Sequence, residues 1–331
     1  MFFKKKLSTG ALIDEPDIRD YKYEEIASAP IVTWEEKNTF RSFPIFNQDG
    51  SSSCVAQAVS KVLGIENFIE ENKFVSLSAR DIYSRRPNFS SEGMYFRDAM
   101  EIGSKYGATI EQLMPSQELD EISMNLSNDR TFTTEYTAKI FKGGKYVSIN
   151  RDIDSIASII ERGKGVLLGF QWDYNEWDKE FPSIISTSKK QYCHGIAAVD
   201  KGLINGKKHI VIDDSWGYNK GKNGQRFLSE DWFNDRCIAA WYFEDLVNSE
   251  SVSEIDKYIF NNDLSYGMKN DEVVILQKIL QQLGFFPAGQ ECTGFFGGIT
   301  RQAVKDFQIK YNIEPTEGYF GIKTRSVLNS L

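Results

Sequence analysis

Histidine is nearly absent from this chain: its 331 residues include two, His194 and His209. Chemistry that needs an imidazole base must use one of them. Cysteine is scarce too. Cys54, Cys193, Cys237 and Cys292 are too few and too scattered for a disulfide framework or a C-x-x-C metal site. No metal and no cofactor is expected. Basic residues are outnumbered, 39 Lys+Arg against 47 Asp+Glu for a net charge of −8, and Lys4-Lys5-Lys6 is the one basic block, which argues against nucleic acid as a partner. No apolar run approaches the length of a membrane span. A conventional secretory signal is also missing, because the lysines of Met1–Leu7 follow the apolar residues and no long apolar stretch comes after them. What remains is ordinary globular material, 41% hydrophobic and 13% aromatic, enough for two or three domains. A monomer is expected.

The stretch Gln48-Asp49-Gly50-Ser51-Ser52-Ser53-Cys54 opens an apolar-periodic run in which Val55, Ala58, Val59, Val62, Ile65 and Ile69 recur at helical spacing. Ser52 or Ser53 is a natural N-cap, so the spacing predicts Cys54 in the first helical turn. Unpaired N–H groups and the helix dipole there favour a thiolate. Gln48 is placed to donate a hydrogen bond to an oxyanion beside the sulfur. Alone, such a cysteine reads as an ordinary buried thiol at a helix start, and the rest of the chain has to overturn that reading.

Along the chain, residues 1–30 read as an extended arm packed on the body, with Pro16 and Pro30 disfavouring helix. Residues 31–134 are mainly helical, with helices starting at Leu77-Ser78 and running from Tyr95 to Tyr106. Residues 135–246 change to strands around one helix, Asp154 to Arg162. Val166–Phe170, Gly195–Val199 and His209–Asp213 read as buried strands, with Asn205-Gly206 a type I′ hairpin signal between the last two. Helices followed by strands imply an α+β body with a cleft between its halves. Residues 247–263 are polar and acidic, a linker. Beyond them lies an internal repeat: Gly294-Phe295-Phe296-Gly297 and Thr300 recur, 24 residues on, as Gly318-Tyr319-Phe320-Gly321 and Thr324. In each copy the glycines are expected to make a tight turn and the threonine to cap a helix. With a preceding helix from Asp271 to Leu283, residues 264–331 form a small all-α three-helix domain.

His194 precedes a β-run of small and apolar residues, and Asp214 follows twenty residues later at the end of the His209–Asp213 strand. If those strands pair through Asn205-Gly206, His194 and Asp214 share one end of the hairpin. The carboxylate can then orient the imidazole and stabilise its protonated form. Trp216 can cover that hydrogen bond and exclude water. His209 lies mid-hairpin beside Lys207-Lys208 and is expected to be structural or surface. Each residue alone has a bland explanation; Gln, Cys, His and acid in this order make coincidence improbable.

Gln48, Ser53-Cys54-Val55-Ala56, His194-Gly195 and Asp214-Ser215-Trp216-Gly217, with Gly221-Lys222-Asn223-Gly224 downstream, resemble the papain-like cysteine peptidases, most closely their bacterial and phage branch. The resemblance spans roughly residues 15–245. It implies a two-lobed body, Cys54 as nucleophile and His194 as its base. Gln48 and the Cys54 N–H would form an oxyanion hole, with Asp214 orienting the imidazole. Gly93 would offer backbone hydrogen bonds to a peptide, and Met94 and Gly195 would shape the pocket. Three features depart from the pattern: Asp214 stands where the family usually has Asn, Ser51 replaces a cysteine of the common disulfide, and no long helical propeptide precedes the body, so activation by cleavage is not expected. Cys193 takes no role from the resemblance.

Gly267, Val274, Leu276-Gln277, Leu280, Gly284, Gly294–Gly297, Ala303-Val304, Phe307-Gln308, Gly318 and Phe320-Gly321 resemble a three-helix peptidoglycan-binding domain. Together the resemblances imply a cysteine peptidase acting on peptide or protein and held at the bacterial wall by peptidoglycan, extracellular or wall-associated, such as a phage lysin released at lysis. The competing reading is a catalytically silent binding or virion protein of the same fold. An acyl transferase of the transglutaminase kind is disfavoured by Gln48 and the Ser215-Trp216-Gly217 context.

Overall fold

The computed structural model describes residues 9–15, 17, 32–177, 179–184, 190–244, 259–287 and 289–330. The chain divides into two units, Met1–Arg130 with Thr137–Val247 and Thr131–Tyr136 with Asn248–Leu331. Most of the arm at 1–30, and the linker stretch up to residue 258, lie outside the described residues. No helix among the described residues is long and apolar enough to cross a membrane.

The first half of the larger unit runs β1 (Ala11–Leu12), α1 (Cys54–Glu71), α2 (Ala79–Tyr83), β2 (Met94–Tyr95), α3 (Phe96–Lys105) and α4 (Glu121–Met124). After α5 (Phe132–Ile140) come β3 (Tyr146–Ser148), α6 (Ile153–Glu161), β4 (Val166–Trp172) and α7 (Tyr174–Trp177). Then follow β5 (Tyr192–Ile204), β6 (Lys207–Asp213), β7 (Gln225–Ser229), α8 (Glu230–Arg236) and β8 (Cys237–Phe243). The strands β3 to β8 form one antiparallel sheet in the order β3-β8-β4-β5-β6-β7.

The periodicity of α1 calls for one apolar stripe, yet every residue from Cys54 to Asn67 is buried. β5, α2 and α3 all pack against α1, so the helix as far as Asn67 has no solvent face. Its charged residues are paired accordingly, Lys61 with Asp213 at 2.7 Å and Glu66 with Lys164 at 2.7 Å. Ser53 holds the N-cap position, but its hydroxyl bonds to Ser51 Oγ at 2.8 Å and caps nothing. The loop packing around the cysteine claims the hydroxyl first.

β4 and β5 are buried nearly throughout because α1 covers one face of the sheet and α6 and α8 the other. Asn205 and Gly206 both have positive φ, 52° and 75°, as a type I′ turn requires. Trp172, Trp177, Trp232, Phe170 and Phe233 fill the layer between sheet and helices.

The smaller unit carries α9 (Asp271–Gln282), α10 (Gly298–Lys310) and α11 (Ile322–Leu328) around Leu276, Leu280, Phe296, Val304, Phe307 and Phe320. Thr300 and Thr324 do not cap these helices; Gly297 and Gly321 hold the N-cap positions without a side-chain bond. Each threonine instead accepts a hydrogen bond from a buried amide, Gln277 Nε2 at 2.8 Å and Gln308 Nε2 at 2.9 Å. The same amides reach the turn glycines, Gln277 Oε1 accepting from Gly294 N–H and Gln308 Oε1 from Gly318 N–H, both at 2.9 Å. The repeat is therefore a glutamine-stapled turn, used twice.

Candidate active site

Cys54 opens α1 and faces the start of β5. That approach requires glycine at 195, since a Cβ there would lie 2.8 Å from Val55 Cγ2 and 2.9 Å from its Cα. The Gly195 N–H donates to Cys54 Sγ at 3.4 Å. His194 precedes this glycine inside β5, not before it, and the β5–β6 pairing brings Asp214 alongside. His194 Nε2 and Asp214 Oδ1 are 3.0 Å apart, with both side chains fully buried. A carboxylate only accepts, so Nε2 carries the proton toward Asp214 and Nδ1 is left for the sulfur side. Nδ1 is buried.

Three indoles wall the imidazole. Trp216 lies tilted over it at 4.8 Å between ring centroids, and Trp172 and Trp177 meet it edge-on at 5.6 and 6.2 Å. Asp214 Oδ2, turned away from the histidine, accepts from Trp177 Nε1 and Arg226 Nε, each at 2.9 Å.

Burial opposes charge on Cys54, but the imidazolium of His194, a hydrogen bond with it and the backbone N–H groups of Gly195 and Gly10 hold the thiol below its usual range. Burial likewise opposes charge on His194; the Cys54 thiolate and the Asp214 hydrogen bond overcome it and raise the imidazole well above its ordinary value. Asp214 would be pushed up by burial, yet His194, Arg226 and Trp177 hold its carboxyl below the usual range. All three directions favour a thiolate–imidazolium pair. Cys193 behaves oppositely: burial, then the charges of Cys54 and Asp14, push it up, so it stays a thiol.

Gln48 is fully buried behind the cysteine. Its Oε1 accepts from Ser215 Oγ at 2.6 Å and its Nε2 donates to Ser51 O at 2.8 Å, which sets the amide with its NH₂ toward the nucleophile loop. Glu121 joins that loop to the Gly93 loop, accepting from Ser52 N–H at 2.7 Å and from Tyr83 Oη at 2.7 Å. Tyr83 Oη in turn accepts the Gly93 N–H at 2.9 Å, and the Gly93 carbonyl accepts from Asn88 Nδ2 at 3.1 Å. The backbone of Gly93 is thus taken by its own lobe. The N–H that meets an extended chain is that of the next residue, Met94, which donates to Gly10 O at 2.8 Å.

That extended chain is the arm. β1 pairs with β2 in parallel, Ala11 opposite Met94 and Leu12 opposite Tyr95. Gly10 passes so close to the nucleophile loop that a Cβ on it would lie 1.8 Å from Ser52 O. Arg97 anchors the arm beyond, its N–H donating to Asp14 Oδ2 at 3.1 Å and its Nη2 to Glu15 O at 2.9 Å. Cys54 is left with no exposed surface.

The family model for papain family cysteine proteases matches residues 30–240. The chain belongs to that family. Residues 269–328 match the model for a peptidoglycan binding domain. A KDEL-tailed cysteine endopeptidase of Arabidopsis thaliana is 27% identical over 213 residues, 62% of this chain and 55% of the relative, so the chain spans about half the length of that protein. Two solved structures share the papain-family fold. One is xylellain, a cysteine protease from Xylella fastidiosa, with TM-score 0.61, 20% identity and coverage of 74% of this chain and 99% of the other. The second is a digestive procathepsin L 3 from Tenebrio molitor larval midgut, with TM-score 0.56, 14% identity and coverage of 71% and 75%.

Sequence reasoning missed Arg226, Trp177, Tyr83, Glu121 and Gly10. Arg226 stands between Gln225 and Phe227, where a polar residue is unremarkable, and none of the five carries a local signal.

Proposed function

We propose that this papain-family chain is a cysteine endopeptidase directed to the bacterial cell wall. The observation that carries it is the buried line Cys54–His194–Asp214, in which each group shifts its neighbour toward a thiolate–imidazolium pair. In this reading Cys54 Sγ attacks a peptide carbonyl, and the oxyanion is held by the Gln48 amide and the Cys54 N–H. His194 passes its proton to the departing amine, leaving a thioester, then takes a proton from the water that hydrolyses it. Asp214 holds the imidazole in the productive tautomer and Trp216 keeps water from their hydrogen bond. Met94 and Gly195 line the approach beside Gly93, and a peptide replaces the arm against the Met94 N–H. The match of residues 269–328 to a peptidoglycan binding domain supports a wall setting, with the scissile bond in stem peptides, cross-bridges or a wall-associated protein, as in a lytic enzyme.

The test compares wild type with Cys54→Ala for release of new amines from purified cell walls and from a denatured protein. Cys54-dependent release from walls is expected. Its absence from both substrates overturns the peptidase reading, and release from denatured protein alone overturns the wall substrate.

A further inference from the structure

Asp214 divides its two oxygens. Oδ1 faces His194 at 3.0 Å, and Oδ2 accepts from Arg226 Nε and Trp177 Nε1, both at 2.9 Å. Arg226 comes from β7, paired with Ile212 two residues before Asp214. Its guanidinium lies 5.0 Å from the centre of the Trp177 ring, and its Nη1 donates to Lys179 O at 2.6 Å. The side chain is 1% exposed. The other charges packed nearby are matched elsewhere: Asp213 by Lys61 at 2.7 Å, Glu176 by Arg236 at 2.6 Å. Cys54, His194, Asp214 and Arg226 then make a row of alternating sign, −, +, −, +, in a dry interior. A carboxylate buried without a counter-charge would be strongly unfavourable, and a lone guanidinium equally so.

We infer that Arg226 is a positioning residue: it fixes the Asp214 carboxylate and balances its charge, so that a carboxylate can orient His194 without holding its proton too tightly for delivery to a leaving amine. This rests on the peptidase reading above. Asp214 and Arg226 belong together, since an amide at 214 would leave Arg226 buried and unpaired.

Two histidines make the test direct. The imidazole titrations of the ¹⁵N-labelled full chain are followed by NMR, with His209 as internal control. Removing the positive charge in Arg226→Gln leaves the whole Asp214 charge to His194, so its titration moves up by about one pH unit. Arg226→Lys keeps the charge and stays near wild type, while Asp214→Asn moves His194 down. A shift in Arg226→Gln smaller than about 0.2 unit, or downward, overturns the inference. Should Arg226→Gln fail to fold, the double variant Asp214→Asn/Arg226→Gln, which removes the two balanced charges together, is expected to fold again; a double variant that fails as the single one does overturns the inference. The titration needs no turnover, so a chain that hydrolyses nothing yet shows these shifts refutes the peptidase reading and leaves the role of Arg226 standing.

Discussion

Lys61, Glu66, Glu176, Asp214, Arg226 and Arg236 are all buried in the larger unit, whereas residues 259–330 bury Gln277, Thr300, Gln308 and Thr324 and, among the described residues, no charged side chain. Both sets are well partnered, but for different ends. In the smaller unit the amides staple glycine turns and have no charge to shift. In the larger unit opposed charges run through the core to the nucleophile, where burial strengthens each interaction and moves proton affinities. A polar core that only shapes a turn can be neutral; one that must hold a thiolate cannot.

The sharpest break of that comparison is at the sulfur. Cys54→Ala should lower amine release by about four orders of magnitude or more, with the smaller unit's wall binding unchanged in a pull-down on purified walls. Gln48→Ala should lower kcat about a hundredfold with KM little changed, as for loss of an oxyanion donor, and Ser215→Ala should lower it less because the amide is only freed to turn. In the smaller unit, Gln277→Ala and Gln308→Ala should each cost about 1–3 kcal/mol in denaturant unfolding of its transition, and by similar amounts because the staples are alike, leaving kcat untouched. Acid–base behaviour should separate the units again. His194 is raised from 6.5 to about 9, so the imidazolium survives to higher pH than a free imidazole; kcat/KM should stay high through neutrality and fall about tenfold per unit above pH 9. Residues 259–330 contain no histidine, so the proposed wall binding should show no step between about pH 6 and 8. Smallest is Gly10→Val, whose side chain cannot sit against Ser52 O; the arm should leave the cleft and kcat/KM rise several-fold. An unchanged or lower kcat/KM would show that the arm does not limit access.

Much of the fold was legible. Ser78 caps α2 by accepting from Asp81 N–H, α6 lies within one residue at each end of the expected Asp154–Arg162, and Asn205-Gly206 turns as its dipeptide requires. The order of Gln48, Cys54, His194 and Asp214 pointed to the site because the hairpin signal alone put the acid beside the base. Two local rules gave way. Ser53 Oγ turned to Ser51 instead of capping α1, and Thr300 and Thr324 turned to buried glutamine amides and left the caps to glycines, in each case because a buried partner competed more strongly for the same group. The role that the resemblance implied for Gly93 was altered in the same way, since its backbone is bonded within its own lobe.

By itself the sequence determined helix starts, the hairpin, the twin glycine turns and which residue types could serve as nucleophile, base and acid. Such signals act within a turn or two of chain, where a cap, a dipeptide or a periodicity is complete in a few residues. The tertiary structure alone decided that Arg226 balances Asp214 from a neighbouring strand, that Ser215 orients Gln48 across 167 residues, and that Gly10 lies on the sulfur. Those contacts form only when sheet and helix close on each other, and nothing local distinguishes a serine or an arginine that will meet such a partner from one that will not.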